Sequence, residues 1–148
     1  MIYGTMTKAL EYSKAGKIDE WMQLFLRNDG DNIGLADGLL KEPRIYLPIR
    51  EIPAALLDKI KSGAPEYLED QDSIDYFFYI VDKMKAAGDT WDTPPLIVMY
   101  DENGFYVCDG RHRLEYYRQL KQDNIPVALW VTGEKNYNEL IDILNKNQ

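Results

Sequence analysis

The sequence predicts an α+β fold, a small mixed β-sheet packed by several helices. Helical patterns fill the first part of the chain, about residues 1–42. An extended run lies near Ile45. The stretch from Pro94 to Trp130 then reads as strand, tight turn, strand, sharp turn, helix, strand.

The elements follow in order. Thr7 to Lys14 is read as a short helix stopped by Gly16. A second helix begins at about Asp19. Ile18, Trp21, Met22 and Phe25 fall at i, i+3, i+4 and i+7, one apolar stripe. It ends near Asn28, and Asp29-Gly30-Asp31-Asn32 is a turn. Its acids do not fit a calcium loop, which needs a distal acidic ligand at a set spacing, so a turn with a helix N-cap is preferred. Ile33 to Lys41 reads as a third helix, weakened by Gly34 and Gly38. Arg44 to Leu47 is the expected first strand, and Pro48 places it at an edge or ends it. Pro53 suits the first turn of a helix burying Leu56, Leu57 and Ile60 and ending at Ser62-Gly63.

Leu68 to Ala87 holds the longest helix. Ile74, Phe77, Phe78, Val81 and Met84 form its apolar face, and Gly88 stops it. Trp91, in the linker that follows, either covers the edge of the core or stacks on a base; the core reading is preferred. Leu96 to Tyr100 and Phe105 to Cys108 form a hairpin. Asn103-Gly104 is its turn, because both central positions of a type I′ turn need positive φ. A helix starts near Arg111 and turns Leu114, Tyr117 and Leu120 toward the hairpin; Pro126 to Val131 is another strand. A last helix carries Tyr137, Leu140, Ile141 and Leu144 on one side. No repeat or linker divides the 148 residues, so one domain is expected.

Composition narrows the function. With 45% hydrophobic residues the chain can build a core. A net charge of −8 argues against gripping nucleic acid or an anionic membrane, both of which need clustered basic residues. One cysteine, Cys108, excludes an internal disulfide, and one histidine, His112, excludes a His-rich zinc site. The N-terminus lacks a signal-peptide pattern and no apolar run is long enough to span a bilayer, so a cytoplasmic protein is expected.

The chemistry concentrates at Asp109-Gly110-Arg111-His112-Arg113. A helix start leaves N–H groups unpaired and carries partial positive charge. Gly110 permits close approach of a ligand to the backbone, and Arg111, His112 and Arg113 add donors, so the turn suits a phosphate. The local alternative is a plain strand-to-helix turn with Asp109 as N-cap and solvated arginines.

This segment resembles the ParB/sulfiredoxin superfamily, in which a strand leads through a Gly-x-His-Arg or Gly-x-x-Arg box into a helix. Pro95-Leu96-Ile97-Val98 is similar to the strand before that box, and Ile125-Pro126-Val127 to the strand after the helix. The resemblance implies nucleotide phosphates at Gly110, Arg111, His112 and Arg113. It also implies an acidic residue near the nucleotide in kinase-like members, for which Glu51 is the matching position; a solvated loop carboxylate is its other reading. Sulfiredoxin's catalytic cysteine position is Arg111 here, so sulfinic-acid repair is not expected, and Cys108 is read as buried and inert. ParB itself carries a DNA reader and a dimerisation tail after this domain, and with about eighteen residues following Trp130 and an acidic balance, a DNA-partitioning role is not expected of this chain alone.

Two functions of different class remain open. One is a nucleotide-dependent phosphotransferase, with a nucleoside di- or triphosphate and Mg²⁺. Asp109 would accept a proton from a hydroxyl substrate or hold the metal, and Glu51 would be a second acid. The other is a non-catalytic nucleotide-binding or protein-interaction module. A ParB-like nuclease ranks third, since no carboxylate cluster or basic groove supports it.

Overall fold

The computed structural model describes residues 1–60 and 68–147. Five strands make one mixed sheet: β1 (Ile45–Tyr46), β2 (Arg50–Pro53), β3 (Leu96–Asp101), β4 (Gly104–Asp109) and β5 (Asn124–Val131). The order is β1-β5-β3-β4, with β2 also on β5. β3 and β5 run parallel at the centre, and every other pairing is antiparallel. β1 and β2 share one edge of β5, interrupted around Pro48, which has no N–H for a ladder. Between them Leu47 still donates its N–H to the Leu129 carbonyl at 3.0 Å.

Strand alternation divides the apolar residues between two faces. Leu96, Val98 and Tyr100 join a core with Val127 and Leu129. That core is covered by α4 (Gln71–Ala87), α5 (Arg111–Gln119) and α6 (Glu134–Lys146). Ile97, Ala128 and Trp130 face the other way, onto α1 (Met6–Lys14), α2 (Ile18–Arg27) and α3 (Ile33–Leu39). The α2 stripe is buried as its spacing predicts, with Trp21 stacked on Phe25 at 5.1 Å. Thr5, Asn32 and Asp70 cap α1, α3 and α4 by accepting backbone N–H bonds, which satisfies amides the helices cannot. The sheet packed on both faces by helices is the α+β architecture the sequence predicts.

Four local expectations are corrected. The hairpin turn is Glu102-Asn103, since Asp101 pairs with Gly104. Only Gly104 takes positive φ there, at 105°, while the Asp101 carboxylate accepts the Asn103 N–H at 2.8 Å. With neither Glu102 nor Asn103 at positive φ, the turn is closed by the Asp101 side chain and is not type I′. The segment around Pro53 is strand β2 followed by a 3₁₀ turn at Ala54–Leu57, because β5 offers an edge to pair with; Leu57 is buried, and Leu56 and Ile60 are half-buried. The expected stop at Ser62-Gly63 lies outside the described residues. Leu120 is 49% exposed, because α5 ends at Gln119 before its stripe returns to the core. α3 stops at Leu39, two residues short of Lys41. Among the described residues no helix is long and apolar enough to cross a membrane.

Candidate functional site

β4 delivers the chain to the site. Its register against β3 shifts between Ile97 and Val98, so Asp109 ends opposite Ile97. Gly110 follows with φ 112° and ψ 28°, a backbone state that side chains disfavour. A Cβ there would also lie 2.6 Å from Leu96 Cδ2 and 2.7 Å from Arg113 Nη2. Conformation and space both demand glycine. Gly110, and not Asp109, is the N-cap of α5, and no side chain caps this helix. The Gly110 carbonyl accepts the Leu114 N–H at 2.8 Å, so the amides of the turn before it have no acceptor inside the helix.

Asp109 is occupied differently. Its Oδ2 pairs with Arg113 Nη2 at 3.2 Å, and its Oδ1 accepts from Asn32 Nδ2 at 3.2 Å. Asn32 thus joins the α3 cap to the end of β4. Arg113 is 8% exposed. Nη2 also donates to the Pro95 carbonyl at 3.3 Å, and the guanidinium lies 5.9 Å from the Phe25 ring centroid. Its Nε is buried with no hydrogen-bond partner. An orphaned donor on a buried cation is costly and suits an acceptor brought by a ligand.

His112 stacks on Phe77 of α4, ring centroids 4.5 Å apart. Burial lowers its pKa, the Arg113 charge lowers it further, and Asp109 opposes both. Arg111 leaves this group: its Nη2 donates to the Tyr106 hydroxyl at 2.8 Å on the outer face of β4. Glu51 is exposed on β2 opposite Pro126. The turn therefore gathers Asp109, Gly110, His112 and Arg113 around one cleft of about 300 Å³, without Arg111 or Glu51 in its wall.

The N-terminal segment, with the end of α2, builds the facing wall, which the sequence does not predict. Gly4, Phe25, Asp29 and Gly30 line it. Asp29 Oδ1 accepts the Tyr3 N–H at 3.0 Å and Oδ2 accepts the Gly4 N–H at 2.6 Å. Trp21 Nε1 donates to the Tyr3 carbonyl at 2.8 Å. A Cβ on Gly4 would sit 2.6 Å from both Asp29 Oδ2 and Phe25 Cε1, so glycine lets the strap lie flat. The acidic turn at Asp29 was the available signal, but its partners are 25 and 26 residues away. Met84 and Trp91 complete the rim from the α4 side.

No protein-family model matches the chain, and no curated protein matches it. Among solved structures it is similar to sulfiredoxin from Arabidopsis thaliana. The identity is 16% and the TM-score 0.37, over 63% of this chain and 96% of that one. No residue role is carried across from that likeness.

The donor set suits an anion better than a resident cation. The cleft wall holds two carboxylates, Asp29 and Asp109, and both already accept hydrogen bonds. Among the described residues no group of three or more His, Cys, Asp or Glu could hold a metal ion. Mg²⁺ commonly enters such sites on substrate phosphates with one or two protein carboxylates, and Asp109 retains lone pairs for that. Cys108 stands apart, packed on the α1–α3 face, with burial pushing its thiol up to about 12.

Proposed function

We propose that the cleft at the start of α5 binds the phosphate groups of a nucleoside di- or triphosphate, with Mg²⁺ as co-ligand. The observation that carries this is the uncapped helix end at Gly110, opening on a cleft that Arg113 and His112 also line. First-turn amides give directed donors, and the helix end adds positive potential. Arg113 supplies buried charge and an unsatisfied Nε–H. His112 supplies a ring nitrogen, its ring held by Phe77. Asp109 would be the protein ligand of Mg²⁺, or would accept the proton of a hydroxyl substrate in a phosphotransferase.

A non-catalytic nucleotide-binding module is the second reading. The bonds from Asn32 and Arg113 to Asp109 favour it, because a carboxylate whose two oxygens already hold donors is less available to a substrate hydroxyl. Calorimetry with a nucleotide panel and Mg²⁺ tests binding, and turnover of labelled nucleotide with hydroxyl acceptors separates the two readings. Gly110→Val is expected to abolish binding by blocking the backbone. His112→Ala is expected to weaken it roughly two- to tenfold, the worth of one neutral hydrogen bond. No binding by the wild type, or equal binding by folded Gly110→Val, overturns the proposal.

A further inference from the structure

The phosphate cleft has a neighbour. Met84 and Trp91 line it and also line a shallow hollow of about 260 Å³, floored by Ile80, Lys83 and Ala87 of α4. The two hollows share a wall, so one ligand can occupy both. Their chemistries differ. The cleft side offers helix amides, an imidazole and a guanidinium. The hollow offers Ile80 and Ala87, a thioether, an indole and Lys83, whose ammonium lies over the Tyr79 ring, with no carboxylate among its lining residues.

Trp91 is placed to work as a platform. A 3₁₀ turn at Gly88–Thr90 leads into it, and its ring leans on Tyr116 of α5, centroids 6.0 Å apart. It is half-buried, whereas Trp21 and Trp130 are 0% and 5% exposed. An indole braced on one side and open on the other stacks flat rings of any sequence or substitution. We propose that the hollow over Met84 and Trp91 seats a flat aromatic ring joined to the phosphates, a nucleobase, so that the ligand lies from the start of α5 outward along α4. This rests on the phosphate reading above and adds the ring's position. It separates nucleotides from inorganic polyphosphates and sugar phosphates, which share the charge and lack the ring.

The test compares ATP, GTP and CTP with inorganic tripolyphosphate, each with Mg²⁺, by calorimetry on the full chain. At least one nucleotide is expected to bind roughly tenfold or more tighter than tripolyphosphate, within the range of one base stacked on an aromatic ring. Ala87→Gln, in the lining of the hollow and not of the cleft, is expected to remove most of that preference and leave tripolyphosphate affinity within about twofold. Tryptophan emission should be quenched by the preferred nucleotide and not by tripolyphosphate, and Trp91→Phe should lose the quench. Equal affinity for nucleotide and tripolyphosphate overturns the ring site while leaving the phosphate site standing. So does a preference kept in full by Ala87→Gln, or a quench that survives Trp91→Phe. Binding of none of these ligands overturns both.

Discussion

Arg113 changes character between sequence and structure. In the sequence it is a solvated or phosphate-facing arginine on a first helical turn. In the fold it is buried, and its Asp109 partner keeps only 15% of its side-chain surface. Truncating it therefore leaves a carboxylate poorly solvated, so Arg113→Ala is not a clean probe of binding. The single variant is expected to lose about 1–3 kcal/mol in chemical denaturation. Asp109→Ala should do likewise, and the double variant should lose less than the sum, since the pair fails together. Additive losses would show that the contact carries no coupling. The sequence predicts a buried Cys108, and the structure makes it half-buried, packed on the α1–α3 face. A thiol pushed up to about 12 has almost no thiolate at neutral pH. Native labelling by a thiol reagent should be slow and should accelerate on unfolding; fast native labelling would contradict the packing.

At the scale of elements, the site depends on two junctions. One is the β4-to-α5 turn, where Gly110 was legible because only glycine suits so tight a strand-to-helix change. The identity of the N-cap was not legible: Asp109 is a good capping residue by type, yet Arg113 and Asn32 compete for its oxygens and win. The other junction straps residues 3 and 4 to Asp29. Asp29→Ala removes the acceptor for both amides. Hydrogen exchange at Tyr3 and Gly4 should then rise about tenfold, which is what loss of a bond of roughly 1.5 kcal/mol gives, while α6 should be unchanged. Unaltered exchange at the strap would mean that Trp21 and the Tyr3 carbonyl hold it alone.

For the whole molecule, helices clamp both faces of one sheet, and His112 lies where α4 and α5 meet. Its folded pKa is lowered, mainly by burial and then by Arg113, with Asp109 opposing. Above the ordinary value of 6.5 the imidazole is neutral folded or unfolded, and stability is intact. As pH falls below that value the unfolded chain takes the proton first, so stability declines until the lowered folded value is passed. The melting temperature of wild type should therefore fall more steeply from pH 7 to pH 5 than that of His112→Gln. Parallel slopes would assign the acid sensitivity to carboxylates elsewhere.

The sequence alone determined most element positions and the α+β class. Periodicity and turn chemistry are local: the stripe at Ile18, Trp21, Met22 and Phe25 needs no distant partner to be read, nor do the glycines at 88 and 110. Strand β2 was decided by tertiary structure, because Arg50 to Pro53 becomes a strand only when β5 offers an edge. The candidate site divides the same way. Its β4-to-α5 side could be read from five consecutive residues. Its far wall could not, since Gly4, Asp29 and Trp91 meet Gly110 only after the N-terminal helices and α4 have closed on opposite faces of the sheet. Those contacts span long loops of chain, and no pattern in a short window encodes which distant side chain a buried donor or open ring will meet.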